Sequence, residues 1–326
     1  MSTVKKVAAL AAGAAALTVG GAWYAYRTAF QADPKRIAPV RSIPEGEEYA
    51  PHRELILRNI DDLLARPFER VSVTSHDGLR LVGKYYAGRP GAPLLLFFHG
   101  YRSTAERDGS GGFQFCLENG FSVLLADQRG HGDSQGKTIT FGIRERWDCL
   151  AWARYAARRF DVPMFLWGIS MGAATVLMTS DLPLPSQVKG IIADCGYDSP
   201  EDILRDTMRR WHYPQFPTWQ LTRLGARLFG GLDVKECSAL DSLRRTRVPV
   251  LLVHGEGDNV VPCEMADALR DACASKVELL RVPGAGHGMS WYAAMPDYQS
   301  ALLRFMKECG VRKAGHDTCF SDQNRE

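Results

Sequence analysis

The sequence predicts an α/β fold: a mostly parallel, doubly wound sheet with helices on both faces and a small helical cap insertion. Three observations carry this. Six short runs, PLLLFFHG, FSVLLADQRG, VPMFLWGIS, VKGIIADCG, VPVLLVHGEGD and KVELLRVPGAGHG, are continuously apolar rather than alternating. That is the pattern of strands covered on both faces. Helix-like segments at 141–160, 171–180, 263–275 and 290–309 are interleaved with them, as crossover connections require. About 50 residues separate Cys195 from the run that opens at Val248, more than one crossover needs.

Taken from the N-terminus, Lys5-Lys6 precede an uncharged apolar stretch, Val7–Tyr26, that ends in Trp23, Tyr24 and Tyr26 before Arg27. About 20 apolar residues span a bilayer as a helix, and aromatic residues mark its interface. An uncleaved membrane anchor is expected over residues 7–26. The run is long for a signal peptide and has no clear small-residue cleavage site; a cleaved signal or a surface helix are the competing readings. Lys5 and Lys6 favour a cytoplasmic N-terminus, whereas Arg27, Lys35, Arg36 and Arg41 oppose it. The side of the membrane therefore stays open, with secreted and cytoplasmic locations as alternatives.

Residues 31–50, with Pro34, Pro39 and Pro44, read as a linker, followed by a helix from Pro51 to Leu64. FERVSVTSHDGLRLVGKYYAG reads as a hairpin about Asp77-Gly78. The expected organisation is an anchor or signal segment at 1–30, linker and helix at 31–66, one domain at 67–312 with a cap at about 197–240, and a polar tail at 313–326. On this division, residues 1–30 are dispensable for the chemistry. Within the cap, two helical pieces flank Pro214 and Pro217; Trp211, Tyr213, Phe216 and Trp219 either line an apolar pocket or pack the cap onto the sheet.

The 326 residues carry 40 basic and 37 acidic side chains, a net charge of +3. Nothing in that balance points to nucleic acid. Eight cysteines include no C-x-x-C pair, which removes zinc-ribbon and thioredoxin-like readings.

Ligands of a doubly wound sheet bind beyond the carboxyl ends of its strands, so polar residues closing the apolar runs are candidates. Ser170 is foremost. The glycines of Gly168-Ile169-Ser170-Met171-Gly172, set between a strand and a helix, make a nucleophile elbow. A serine needs a base. His99, His131, His254 and His287 close or follow strands; His316 lies in the polar tail. In the order nucleophile, acid, histidine, His287 in PGAGHG is the base. Glu256 and Asp258 offer the acid after the penultimate strand; Asp258 is better aimed by its turn, and Asp194 is the alternative. The backbone N–H groups of Met171 and Tyr101 would form the oxyanion hole, with His99 holding the loop around Gly100. No metal or organic cofactor is required.

The set HGY, DQRGHGDS, GISMGAA, HGEGDNVVP and GAGHG resembles the α/β-hydrolase superfamily over roughly residues 70–310, and within it the serine aminopeptidase-like and BEM46-like branch, whose members are often membrane-associated. The resemblance implies a Ser170–Asp258–His287 triad with the oxyanion hole at Tyr101 and Met171. It also implies a structural role for Asp127, Arg129 and Ser134 in DQRGHGDS. Ser170 argues against the dehalogenase branches, and HGY in place of HGGG against the hormone-sensitive-lipase branch. The expected activity is hydrolysis of small carboxylic esters through an acyl-enzyme. Peptidase, thioesterase or lipase chemistry on the same scaffold is the alternative, with Glu201 and Asp202 as carboxylates that could receive a free amino terminus. A non-catalytic membrane-tethered scaffold is the reading from a different class.

Overall fold

The computed structural model describes residues 3–43 and 46–311. Pro44, His316 and the expected polar tail lie outside the described residues. An N-terminal helix, α1 (Thr3–Ala29), is followed by α2 (Arg53–Leu64), which a 3₁₀ turn (Glu47–His52) introduces. The hairpin about Asp77-Gly78 forms as β1 (Glu69–Thr74) and β2 (Arg80–Tyr86). Then come β3 (Leu94–Phe98), α3 (Ala105–Glu118), β4 (Ser122–Ala126), α4 (Glu145–Phe160), β5 (Met164–Ile169), α5 (Met171–Thr179) and β6 (Val188–Asp194). The insertion holds α6 (Pro200–Arg210), α7 (Gln215–Gly225), a π-helical turn (Ala226–Gly230) and α8 (Ala239–Leu243). The chain closes with β7 (Val250–Gly255), α9 (Glu264–Ala272), β8 (Val277–Val282), α10 (Ser290–Ala293) and α11 (Met295–Glu308).

The strands form one sheet of eight, in the order β1-β2-β4-β3-β5-β6-β7-β8. The β1–β2 and β2–β4 pairs are antiparallel and the remainder parallel. Continuous apolar runs are explained by two cores, one on each face. Along β3, Leu94, Leu96 and Phe98 enter one core and Leu95 and Phe97 the other. The same alternation divides Leu124 from Val123 and Leu125, and Leu166 from Phe165 and Trp167. Trp152 of α4 and Leu269 of α9 cover the first face; Phe113 of α3 and Phe305 of α11 cover the second.

Helix α3 is absent from the sequence-based expectation. Thr104 caps it by accepting the amide of Arg107, and Glu106 and Asp108 complement its positive end. Its interior carries Gly109, Gly111 and Gly112, poor helix formers that let it lie close against Trp167 and Trp291. The expected 290–309 helix is interrupted at Ala294 (φ −139°, ψ 53°), giving α10 and α11.

DQRGHGDS acts as a fastening. Arg129, buried, pairs with Asp148 of α4 at 2.6 Å and with Asp77 of the hairpin turn at 2.9 Å. Ser134 Oγ donates to the Asp127 carbonyl and accepts the Val82 amide.

The N-terminal region is not a helix on a free tether. Residues 3–20 of α1 are all exposed, but its end is docked. Ala22, Tyr26 and Phe30 are buried. A Cβ on Gly225 of α7 would lie 2.2 Å from the Ala22 carbonyl oxygen, so glycine is required for the two backbones to approach. Beyond α1, Gln31 bridges to Thr138, and the Phe30 carbonyl accepts the Ile139 amide at 2.7 Å. A cut at residue 30 therefore passes through packed structure.

Candidate active site

The parallel register brings the carboxyl ends of β3, β5, β6, β7 and β8 to one edge, with Phe98 beside Gly168 and Ile169 beside Asp194. Ser170 follows β5, near the middle of the sheet, and caps α5 at φ 55°, ψ −116°. A non-glycine residue is strained there and persists only where its surroundings impose it. Two features do so. The Ser170 amide donates to the Asp194 carbonyl at 2.9 Å. A Cβ on Gly172 would lie 2.0 Å from the Phe98 carbonyl oxygen, so the turn of α5 presses directly on the β3 end.

Ser170 Oγ lies 2.9 Å from His287 Nε2, and His287 Nδ1 lies 2.7 Å from Asp258 Oδ2. The loop after β7 shapes Asp258, whose Oδ1 accepts the amides of Val260 and Val261 at 2.8 and 2.9 Å. Burial disfavours the charged carboxylate, yet hydrogen bonds from His254 and His287 outweigh it and hold the Asp258 carboxyl well below the usual carboxylate range. His254, buried, donates from Nε2 to the Val261 carbonyl at 3.0 Å and lies 3.4 Å from Asp258 Oδ2. Burial works against its protonation, but the hydrogen bond with Asp258 raises its pKa.

The other candidates are placed elsewhere. Asp194 is buried and accepts from Ser290 Oγ at 3.1 Å; burial pushes its carboxyl up to about 6. Glu256 is exposed. His99 Nδ1 donates to the Gly100 carbonyl, while its Nε2 accepts the Gln128 amide at 3.1 Å. His131 Nε2 accepts the Arg102 amide. Both histidines brace the loop after β3.

Gly100 within that loop sits close to the serine; a Cβ there would be 3.4 Å from Ser170 Cβ. The Gly100 amide donates to Asp108 Oδ2 at 2.7 Å. Among the described residues no acceptor takes the amide of Tyr101 or of Met171. The latter heads a helix, where the first amides have no intrahelical partner. The Tyr101 ring stacks on Phe141, and its hydroxyl donates to the Ala29 carbonyl of α1 at 2.8 Å.

These groups open on a cleft of about 130 Å³ lined by Ser170, His287, Tyr101, Arg107, Tyr292 and, from the expected linker and helix at 31–66, Ser42, Tyr49 and Ile56. Tyr49 was invisible to sequence reasoning. Its hydroxyl donates to the His287 carbonyl at 3.0 Å across 238 residues of chain, and burial raises its pKa. The 31–66 stretch thus forms one wall of the cleft. The cap aromatics do not line it: Trp219 is buried under Arg205, whereas Trp211, Tyr213 and Phe216 are exposed. Neither expected role fits those three.

Two clusters could suggest a metal, Cys195 with Asp258 and His287, and His76 with Asp77 and Asp148. In the first, His287 and Asp258 already satisfy one another, and burial pushes the Cys195 thiol well up. In the second, the Arg129 guanidinium occupies the place of a cation.

Residues 109–311 match the prolyl oligopeptidase family. The chain belongs to that family. This prolyl oligopeptidase family member is a hydrolase of the α/β-hydrolase superfamily, as the fold and motifs lead one to expect. It is 25% identical over 193 residues to the uncharacterized protein YqkD of Bacillus subtilis (strain 168), covering 58% of this chain and 63% of that one. It is 25% identical over 266 residues to the bifunctional esterase/perhydrolase DCH of Acinetobacter calcoaceticus, covering 67% and 92%. The solved Pyrococcus furiosus esterase PF2001 superposes with a TM-score of 0.63 at 21% identity, over 84% of this chain and 98% of that one. At that identity the likeness speaks for the fold.

Proposed function

We propose that the protein is a serine hydrolase that cleaves carboxylic esters of short acyl groups through an acyl-enzyme. The observation that carries this is the continuous path Ser170 Oγ, His287, Asp258, at 2.9 and 2.7 Å, ending on a strained serine that faces a cleft. In this reading His287 Nε2 takes the hydroxyl proton as Oγ attacks the ester carbonyl. Asp258, held ionised, accepts from Nδ1–H, fixes the tautomer and stabilises the cation. The amides of Tyr101 and Met171 receive the oxyanion. His287 then returns the proton to the leaving alkoxide, and the same base activates water to release the acid.

Ester rather than peptide is favoured by the carboxylates. Glu201 is bonded to Arg205 and Lys235, and Asp202 to Ser199. Asp108, which does line the cleft, is taken by Gly100 and Ser103. These three carboxylates are therefore already engaged and not free to receive an amino terminus. Short acyl groups are favoured by size, since sites for drug-sized ligands span about 300–1,000 Å³. The similarity to the bifunctional esterase/perhydrolase DCH accords with this chemistry. A thioester would be attacked by the same groups.

Helix α1 is long and apolar enough to cross a membrane, and we take it as an uncleaved anchor for a catalytic unit that includes the 31–66 stretch walling the cleft. The decisive experiment is labelling with a fluorophosphonate probe beside a panel of p-nitrophenyl esters of graded chain length and aminoacyl anilides. Labelling of Ser170 with fastest turnover of short esters is expected. Preference for the anilides would make it a peptidase, and an unlabelled, inactive protein would make it a scaffold.

A further inference from the structure

We propose that the tip of the cap is a second membrane contact, in which Trp211, Tyr213 and Phe216 seat in the headgroup region of the same bilayer that α1 enters. The proposal rests on the reading of α1 as a membrane anchor. Its starting point is where large apolar side chains face solvent. Among the described residues, all the exposed ones except Leu64 and Phe68 fall either in α1 or within residues 211–229. Exposure is 68% at Trp211, 56% at Tyr213 and 76% at Phe216. Apolar side chains scattered singly over a surface need no explanation, whereas a concentrated patch marks an interaction site.

The packing of α1 on α7 sets the level of this patch. Gly21 faces Leu221, Ala22 faces Gly225, and Tyr26 faces Gly230. Both numbers rise together, so the two helices run in the same direction. The start of α7, and the turn that joins it to α6, therefore lie beside the part of α1 upstream of Gly21. Phe216 itself is non-helical (φ −110°, ψ 131°); Pro217, where the regular helix begins, precedes Leu221 by four residues, which at about 1.5 Å per residue sets the start of the helix, with Phe216 before it, roughly 6 Å beyond the Gly21 level. That is the side from which the exposed residues 3–20 project. Eighteen helical residues extend about 27 Å, close to the roughly 30 Å of a bilayer's hydrocarbon core. With residues 3–20 of α1 in the membrane, the cap tip lies at the boundary of headgroups and acyl chains, within the roughly 5–10 Å depth that interfacial apolar side chains reach. A protein partner would have to share that level with lipid.

The chemistry of the tip matches the level. Tryptophan and tyrosine have an apolar body and a polar edge and collect at the membrane–water boundary. Trp23 of α1, half exposed and edge-on to Phe229 of the π-helical turn, continues the same band. Exposed Arg210 ends α6 beside Trp211 and donates to the Asn259 carbonyl; with Arg209 paired to Asp206, it leaves one net positive charge where anionic lipid headgroups attract it.

The test uses the full chain reconstituted into vesicles of phosphatidylcholine and phosphatidylglycerol carrying nitroxide labels either near the glycerol or deep in the acyl chain. Emission of Trp211 and of Trp23 is obtained by difference from W211F and W23F. Quenching of Trp211 by the shallow label, comparable to that of Trp23 and stronger than by the deep label, is the expected result. If Trp23 is quenched and Trp211 is not, α1 still anchors the protein and the cap contact is wrong. If neither is quenched, the anchor reading falls and this proposal with it. If Trp211 is shielded from both labels while the protein runs as a dimer that the W211S/Y213S/F216S variant abolishes, the occupant is a second copy and the proposal is overturned. The triple variant should keep wild-type turnover of a soluble short ester in detergent, since these residues lie outside the cleft.

Discussion

Two regions of this molecule treat their side chains in opposite ways. At the carboxyl edge of the sheet, polar groups are buried and answered: Asp258 by two amides and two histidines, Arg129 by two carboxylates, His99 and His131 by loop backbone. Along the outer part of α1 and the cap tip, apolar groups are exposed and unanswered. Each is costly in water as the fold stands, and each is informative for that reason. Buried polar groups persist where they are paired; exposed aromatic groups concentrate where another phase or molecule meets them. The first region is read as chemistry and the second as placement, so perturbing one should leave the other intact.

The sharpest separation comes from Ser170→Ala. Turnover and probe labelling should fall by up to about a million-fold, with unchanged stability and membrane partition. His287→Ala should match it, and the double variant should be little worse, because the two act as a unit. Additive losses in the double variant would break the pairing of roles.

Asp258→Asn should cost about two to four orders of magnitude in kcat, and Asp194→Asn far less, because Asp194 meets Ser290 rather than the His287 ring. Steady-state kinetics on one short ester decide this; a reversed ranking would hand the acid's role to Asp194.

The border between the regions can be cut at two places. Removing residues 1–20 deletes, among the described residues, only exposed side chains and should leave short-ester turnover at wild-type level while releasing the protein from membranes. Removing 1–30 also deletes Tyr26 and Phe30, whose burial contributes about 1.5–3 kcal/mol each, together with the carbonyls that hold Tyr101 and Arg102. Loss of both stability and turnover is expected, read by thermal unfolding and the same assay. Equal behaviour of the two truncations would show that the docked end of α1 does nothing for the catalytic edge.

Within the buried region, Arg129→Met strands Asp148 without its partner and should cost about 3–5 kcal/mol in chemical denaturation. The probe-labelled fraction of folded protein should be unchanged, because Arg129 lies outside the cleft.

The smallest effect is in pH dependence. Burial pushes His131 down to about 3, against an ordinary value near 6.5. Above pH 6.5 the ring is neutral in both states and its contribution is fully present. As pH falls from 6.5 towards 3 only the unfolded chain takes up the proton, and stability is lost at about 1.4 kcal/mol per pH unit. His131→Gln should flatten the wild-type slope of unfolding free energy between pH 6 and 4 by that amount. An unchanged slope would mean that the ring is protonated in the fold.

The parts of the site legible in sequence are those that close a parallel strand. Ser170, Asp258 and His287 each follow a continuous apolar run, and parallel pairing carries all such ends to one edge whatever their separation in the chain. Tyr49 obeys no such rule. It reaches His287 from a proline-rich stretch with neither helical nor strand periodicity, and only the folded path brings it there. Helix α3 was obscured because its close packing demands the glycines that make a helix hard to read. The cap aromatics are not separable in sequence for a different reason: an exposed ring and a buried ring leave the same mark on a hydrophobic pattern, and only the three-dimensional surface separates Trp219 from Trp211.

The contact between Ala22 and Gly225 has a mechanical consequence. A hydrolase on a flexible leash would sample every height and tilt its leash allowed. Here the leash is replaced by a bracket, a helix bolted along the cap and bonded at its end to the loop that carries Tyr101. With the outer turns of that helix in a bilayer, the mouth of the cleft would have one altitude and one bearing above the surface. Four residues added between Thr18 and Gly21 would lift it by about 6 Å, and turnover of esters embedded in the membrane should fall while that of soluble ones does not.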